Sequence, residues 1–231
     1  MRGTRIEAED CETMYVLNDI LDVPLCDSDE LINARESSSD DLLWRLSNHG
    51  NSEVRKAVAG NIHASPAILY ALSKDFDIDV RFAVALNSST PPDILLRLFS
   101  EDNHQMKIHV LGNPNTPLNI LEDYAVKGSL MFCLCISRNP NSSLKALESI
   151  VSRMENDSVL KNDDDLVIKI ARHRNASAGI LDQIARLNGN SYWIDKAVIE
   201  HPNVSQETLI RLTFSEDARI AELAARKLMG E

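Results

Sequence analysis

Apolar residues recur along this chain in a pattern that repeats about every 26 residues. Each unit begins with a segment in which two leucines stand three residues apart, such as Leu69 and Leu72. It continues with a second segment whose apolar residues follow an i, i+3, i+4 spacing, such as Val80, Ala83 and Val84. Both spacings place the apolar side chains on one face of an α-helix. Each unit is therefore predicted to be a pair of short helices.

Two markers fix the length of the unit. A leucine recurs at intervals of 26, 26, 26, 26, 34 and 28 residues, at Leu43, Leu69, Leu95, Leu121, Leu147, Leu181 and Leu209. A polar residue closes each of the first six units, at Asn61, Asn87, Asn113, Asn139, His173 and His201. From each closing residue to the next leucine there are always 8 residues, so every change of length falls inside a unit. Because stacked units must dock at a fixed offset, we predict an all-α solenoid of about seven two-helix repeats.

Capping residues predict where the helices begin. The second helix of each unit is preceded by a residue with good N-cap propensity, namely Asn51, Asp77, Asn103, Ser129, Asp163 or Ser191. The pairs Ser65-Pro66, Thr90-Pro91 and Thr116-Pro117 predict the starts of three first helices. Helices of about eight residues are too short to be stable alone, so stacking is expected to hold them together.

The chain departs from the repeat in three places. Residues 1–37 carry 10 acidic and 3 basic side chains and are predicted to form an acidic capping or flexible segment. Residues 38–231 are predicted to form the solenoid, with a C-terminal cap at 205–231. The turn over 153–165 is longer than in the other repeats. Loops on rigid scaffolds often carry recognition, so this insertion is either a binding element or a tolerated, solvated turn.

The segment VRFAVALNSSTP at 80–91, with its copies at 54–66 and 106–117, resembles the repeat of the leucine-rich repeat variant family. That repeat is close to V-R-x-x-V-A-x-N-x-x-[ST]-P followed by L-x-x-L, and the resemblance covers roughly residues 40–212. It implies a right-handed solenoid built of paired α-helices and short 3₁₀-type helices.

One founding type of the family carries an N-terminal iron–sulfur cluster on clustered cysteines. Residues 1–37 of this chain contain only Cys11 and Cys26, whereas such a cluster needs four thiolates. No cofactor is therefore expected.

Candidate binding residues lie on the second helices. A cation stands six residues before the closing residue at Arg55, Arg81 and Lys107, and His109 lies close to the last of these. One interpretation is a basic stripe on the concave side of the solenoid that grips an acidic or phosphorylated peptide. The other is a structural ladder in which each cation pairs with an acidic residue of its own or the neighbouring repeat. The sequence leaves both interpretations open.

The closing residues are predicted to form a structural ladder, because an asparagine side chain can bond backbone groups at a helix end. His173 and His201 take the same place, and no third ligand at a suitable spacing suggests a metal site. Cys133 occupies the position of the recurring cation and is predicted to be accessible, whereas Cys135 falls on the apolar stripe and is predicted to be a small core residue.

Composition narrows the function classes. The net charge is −11, and such an acidic chain is a poor candidate for nucleic-acid binding through phosphate neutralisation. The chain contains no catalytic motif such as GxSxG, HExxH or a P-loop, and no apolar run of the ~18 residues that span a membrane. Cysteine spacing and the N-terminal sequence favour a cytoplasmic location.

The sequence therefore predicts a non-enzymatic scaffold that binds a protein or peptide partner. Two alternatives remain: a nucleic-acid-binding helical-repeat protein, and a redox relative that has lost its iron–sulfur cluster.

Overall fold

The computed structural model describes residues 27–187 and 191–230, and this part of the chain contains sixteen α-helices and no strand. The predicted all-α class is confirmed. The helices are α1 (Asp27–Glu36), α2 (Asp40–Leu46), α3 (Ser52–Gly60), α4 (Pro66–Leu72), α5 (Ile78–Leu86), α6 (Pro92–Phe99), α7 (His104–Gly112), α8 (Leu118–Lys127), α9 (Leu130–Arg138), α10 (Leu144–Met154), α11 (Ser158–Lys161), α12 (Asp164–Ala171), α13 (Ala178–Leu187), α14 (Tyr192–Glu200), α15 (Gln206–Leu212) and α16 (Ala218–Met229).

The helices alternate between two roles. Helices α2, α4, α6, α8, α10, α13 and α15 open the seven repeats, and α3, α5, α7, α9, α12, α14 and α16 are the second helices. Each of the six N-caps predicted for second helices is the N-cap in the structure. Packing divides the chain into two compact units, Met1–Ser89 and Thr90–Glu231.

Each unit has a core made by the apolar stripes of both helices. In the unit Met1–Ser89 the stripe residues Leu43, Leu69, Val58 and Val84 are completely buried. The recurring leucine is equally buried at Leu95, Leu121, Leu147 and Leu181 in the unit Thr90–Glu231. Burying such a side chain contributes about 1.5–3 kcal/mol, which compensates for the low intrinsic stability of helices this short.

Helix α1 precedes the first repeat and packs against α3. The side-chain amide of Asn61 donates to the carbonyls of Ala34 at 3.0 Å and Ser37 at 2.9 Å, which ties α1 to the repeat that follows. The acidic segment 1–37 thus includes a helix packed on the first repeat. Its residues 1–26, including both N-terminal cysteines, lie outside the described part of the chain.

Two first helices begin one residue later than predicted. Helix α4 has Ser65 as its N-cap, as expected, but α6 and α8 have the prolines Pro91 and Pro117 as N-caps. The hydroxyl of Thr116 instead donates to the carbonyl of Val110, in the preceding second helix. This side chain therefore fixes the turn between repeats and does not cap the new helix.

Two further expectations need correction. The family resemblance implied short 3₁₀-type helices, but both helices of every described repeat are α-helical. The insertion at 153–165 is not simply a solvated turn. It contains the short helix α11, which Asp157 caps through the backbone N–H groups of Val159 and Leu160. Leu160 is 1% exposed, so this helix adds an apolar side chain to the core.

Candidate functional site

A line of buried side-chain hydrogen bonds joins consecutive repeats within each unit. Nδ2 of Asn87 donates to the carbonyls of Ala59 and Asn61, both at 2.8 Å, and its Oδ1 accepts the backbone N–H of Ser89 at 2.8 Å. The amide therefore uses two donors and one acceptor at once. It reaches back to the preceding second helix and also holds the turn that follows its own helix.

Asn139 makes the same three bonds in the unit Thr90–Glu231. Its Nδ2 donates to the carbonyls of Leu111 at 2.9 Å and Asn113 at 2.8 Å, and its Oδ1 accepts the N–H of Asn141 at 2.9 Å. Oδ1 of Asn113 likewise accepts the N–H of Asn115 at 2.8 Å. We call the six closing residues the closing ladder. They are Asn61, Asn87, Asn113, Asn139, His173 and His201.

The two histidines reproduce the asparagine pattern with a ring. Nε2 of His173 lies 2.9 Å from the carbonyl oxygen of Asn139, and its Nδ1 lies 3.1 Å from the backbone nitrogen of Asn175. His201 repeats these contacts with His173 at 3.1 Å and with Asn203 at 3.0 Å. Since Nδ1 of each ring accepts a backbone N–H, the geometry makes Nε2 the nitrogen that donates to the carbonyl of the preceding repeat.

A second line of hydrogen bonds runs beside the closing ladder, and the sequence analysis missed it. It is made by asparagines two residues after a closing residue, each of which donates from Nδ2 to a carbonyl of the preceding repeat. The donors are Asn115 (to Thr90, 3.1 Å), Asn141 (to Pro114, 2.6 Å), Asn175 (to Ser142, 2.8 Å) and Asn203 (to Ala176, 2.9 Å). The signal was present as the spacing N-x-N or H-x-N.

Arg55 is 5% exposed and forms an internal ion pair. Its Nε and Nη2 donate to the carboxylate of Asp75 at 2.7 and 3.0 Å, and its Nη1 donates to the carbonyls of His49 and Gly50. The hydrogen bond to Asp75 is the main cause that raises the pKa of Arg55. The guanidinium also lies 4.7 Å from the ring centre of Phe76. This geometry matches the interpretation in which the cation pairs with an acidic residue of the neighbouring repeat.

The other three predicted binding residues are partly exposed. Arg81, in the same unit as Arg55, donates to the carbonyl of Asp75 at 2.8 Å. Lys107 and His109 belong to the unit Thr90–Glu231. Lys107 lies 3.8 Å from the carboxylate of Asp102, and burial lowers the pKa of His109. The structure thus places two of the four predicted residues in each unit.

Cys133 is completely buried, so the prediction that it is accessible was wrong, and Cys135 is instead partly exposed. Arg153 explains the difference. Its Nη1 donates to Sγ of Cys133 at 3.4 Å and to the carbonyl of Ala125 at 2.9 Å, and its Nη2 donates to Gly128 at 2.9 Å. The guanidinium of Arg153, which lies on the neighbouring helix α10, therefore holds the turn between α8 and α9 and covers the thiol of Cys133.

Burial raises the pKa of both described cysteines, Cys133 and Cys135, with desolvation as the largest cause. The thiolate is the form that reacts in redox chemistry. The surroundings of these two thiols therefore work against the redox alternative.

The second helices of the unit Thr90–Glu231 carry a row of cations, most of them exposed. Helices α7, α9, α12, α14 and α16 contain seven Lys and Arg and five Asp and Glu, and their cap residues add the cation Arg172 and the acids Asp163 and Asp217. The first helices of this unit contain six residues of each sign. We call the eight cations the basic surface. They are Lys107, Arg138, Lys169, Arg172, Lys196, Arg219, Arg226 and Lys227.

Three arginines of this surface occupy the same helical position. Arg138, Arg172 and Arg226 each stand nine residues after the N-cap of their second helix, and all three are exposed. The carboxylate of Asp165 lies 2.7 Å from Arg138 and 3.9 Å from Lys169, so one acid is shared by two cations. Arg172 makes no ion pair with any described residue. Exposed pairs of this kind are weak, and the cations stay available to a partner.

Large apolar side chains are exposed on the same helices. Met131 and Trp193 each stand two residues after an N-cap and are 49% and 59% exposed. The ammonium of Lys196 lies 6.0 Å from the ring of Trp193. Arginine, tryptophan and methionine are enriched in protein–protein interfaces.

Repeated helix pairs joined by buried side-chain ladders define a protein of the helical-repeat class. The chain is similar to a solved structure described as a leucine-rich repeat variant with a novel repetitive protein structural motif. The two are 20% identical over 93% of this chain and 81% of that one, with a TM-score of 0.57. The chain therefore has the fold of that repeat protein.

A second similar structure is an engineered protein, 16% identical over 87% of this chain and 86% of that one. Its TM-score of 0.28 is too low to support an argument. No family model and no curated protein matches the sequence.

Two further kinds of site, a membrane-spanning helix and a metal-binding cluster, are absent from the part of the chain that the structure describes. None of the helices is long and apolar enough to cross a membrane. Nor does this part of the chain bring three His, Cys, Asp or Glu side chains together in a way that suits a metal ion.

Proposed function

We propose that this helical-repeat scaffold binds an acidic segment of a protein partner through the basic surface of the unit Thr90–Glu231. The observation that carries the proposal is the set of exposed cations on the second helices of that unit, among which Arg138, Arg172 and Arg226 stand at the same helical position. Arginine binds carboxylates through two parallel hydrogen bonds, which suits the exposed Arg138 and Arg172.

A protein partner is favoured over a nucleic acid for two reasons. Carboxylates such as Asp165 and Glu200 lie on the same helices as the basic surface and would repel a continuous phosphate backbone. The second helices also expose Met131 and Trp193, which can pack against the apolar side chains that accompany acidic residues in protein segments.

The residues of this proposed surface differ from those of the basic stripe that the sequence suggested. Lys107 stays within the surface and His109 lies beside it on α7, whereas Arg55 is engaged internally. We further propose that the chain acts without catalysis and works in the cytoplasm, as its motif content and cysteine spacing favour.

A charge-reversal experiment tests this proposal. The probe is a fluorescein-labelled, glutamate-rich peptide with one central phenylalanine, and its binding is followed by fluorescence anisotropy at low salt. We expect the triple variant Arg138→Glu, Lys169→Glu, Arg172→Glu to bind the probe at least about tenfold more weakly, because each lost charge contact contributes on the order of 1 kcal/mol.

The matched control reverses three exposed cations of the first helices, Lys127→Glu, Lys145→Glu and Arg186→Glu, and changes the net charge equally. We expect it to retain most of the binding. Equal losses in both variants, or displacement of the probe by duplex DNA in place of acidic peptides, would contradict the proposal.

A further inference from the structure

A cleft of about 390 Å³ lies between α14 and α16, at the end of the basic surface. Ile199, which is 1% exposed, and Leu223 give the cleft an apolar lining. Glu200, Arg226 and Lys227 line it with charged groups, and of these Arg226 and Lys227 belong to the basic surface. The volume lies within the ~300–1,000 Å³ of typical ligand sites.

The last repeat differs from the others next to this cleft. In six repeats the tenth residue after the N-cap of the second helix is the buried Asn or His of the closing ladder. In the last repeat that residue is Lys227, which is exposed, and α16 continues to Met229. Arg226 and Lys227 therefore stand side by side next to an apolar lining, where the other repeats place a buried polar side chain.

The charged groups around the cleft favour the binding of an acidic segment. Arg226 pairs with Glu222 at 2.5 Å, and Glu200 lies 3.6 Å from Lys196, so both carboxylates next to the cleft are already engaged by cations. Lys227 makes no ion pair with any described residue. A smaller recess of about 130 Å³ adjoins the cleft, and Leu223 and Arg226 line both.

We propose that this cleft anchors one large apolar side chain of the acidic segment, with acidic neighbours of that side chain bound by Arg226 and Lys227. The inference rests on the proposed function and narrows the partner's chemistry to an acidic segment with an embedded aromatic or large aliphatic residue. Binding energy in interfaces concentrates where such a side chain fills a desolvated pocket. The charged surface around the cleft then sets orientation and speeds association.

The test compares two probes that differ only at the anchor. One is the glutamate-rich peptide with a central phenylalanine, and the other carries alanine there, so their charge is equal. We expect the unmodified protein to bind the phenylalanine probe about tenfold or more tightly, as for a central interface residue. Equal affinities for the two probes would overturn the cleft assignment, and this comparison requires no variant.

Two variants on α16 locate the effect. Leu223→Asp places a carboxylate in the apolar lining, and we expect it to abolish the preference for phenylalanine. Leu228→Asp introduces the same charge on the same helix outside the cleft and should keep the preference. A folded Leu223→Asp protein that still prefers phenylalanine as strongly as the unmodified protein would also overturn the inference.

The charge-reversal triple variant separates this inference from the proposed function. We expect it to weaken both probes by the same factor and to keep the preference for phenylalanine. If the unmodified protein binds neither probe, the proposed function fails together with the inference. If both probes bind equally and still depend on Arg138, Lys169 and Arg172, the inference alone fails.

Discussion

At the scale of single residues, the closing ladder explains why Asn and His can share one position. Each side chain offers a donor on one side and an acceptor on the other, so both can bond a carbonyl of the preceding repeat and the N–H two residues ahead. A buried polar group without its partner costs about 1–3 kcal/mol. Residues of other shapes would leave these backbone groups unsatisfied.

The isosteric change Asn139→Asp tests this explanation. It keeps the acceptor for the N–H of Asn141 but turns the donor towards Leu111 and Asn113 into a second acceptor facing two carbonyls. We expect the free energy of unfolding, measured by urea denaturation, to fall by about 3 kcal/mol or more, as for an uncompensated buried charge.

The control for that variant is Asn119→Asp, the same change at an exposed position on α8. We expect an effect within about 0.5 kcal/mol, as for most surface substitutions. Equal stability of the two variants would show that the ladder contributes little.

The closing ladder could be identified from the sequence because each closing residue stands 8 residues before the next recurring leucine. The sequence did not identify the partners of individual side chains. Cys133 illustrates the limit. Its burial depends on Arg153, which stands 20 residues further along the chain on another helix, and no local pattern links the two. Arg55 could be recognised as a candidate for pairing, whereas the choice of Asp75 depends on how the two helices pack.

At the scale of elements, a guanidinium holds the turn between the two helices of a repeat. In the first repeat Arg55 comes from the second helix and pairs with Asp75, 20 residues on. In the fourth repeat the second helix carries Cys133, and the residue 20 positions on is Arg153. In this pair the guanidinium therefore stands at the second position and not at the first. It still donates to a carbonyl of the turn, that of Gly128.

A double-mutant cycle tests the equivalence of these pairs. Arg153→Asp alone removes the donors to the carbonyls of Ala125 and Gly128, and Cys133→Arg alone brings two guanidinium groups together. We expect each single variant to be destabilised, and the double variant to recover a coupling energy of about 1–3 kcal/mol. Thermal or urea unfolding of the four proteins measures it. Additive losses would show that the two pairs are not equivalent.

Element boundaries were predictable where side chains cap locally. Asp77 and Asp163 cap second helices as their sequence positions indicate, since their carboxylates accept nearby backbone N–H groups. The proline after Thr116 predicts a cap at this residue, but the hydroxyl of Thr116 donates to the carbonyl of Val110 in the previous helix. Helix α11 could not be predicted, because a single turn has no periodicity and is held by the burial of Leu160.

At the scale of the whole molecule, an acidic chain carries exposed cations along the second helices of the unit Thr90–Glu231. The 26-residue period was sufficient to predict the fold class, since each repeat buries its apolar face only against its neighbours. The basic surface was not recognised, because Arg138, Arg172 and Arg226 form no motif. Their common position, nine residues after the N-cap, becomes visible only when the helices are aligned by their N-caps.

Lysine footprinting tests directly whether the second helices of the unit Thr90–Glu231 bind an acidic segment. Acetylation rates of individual lysines are compared by mass spectrometry with and without the glutamate-rich, phenylalanine-containing peptide. We predict slower acetylation of Lys169, Lys196 and Lys227 when the peptide is bound, and unchanged rates at Lys127 and Lys145 on the first helices. Protection of the first-helix lysines, or no protection of the second-helix lysines under saturating peptide, would contradict binding at the second helices.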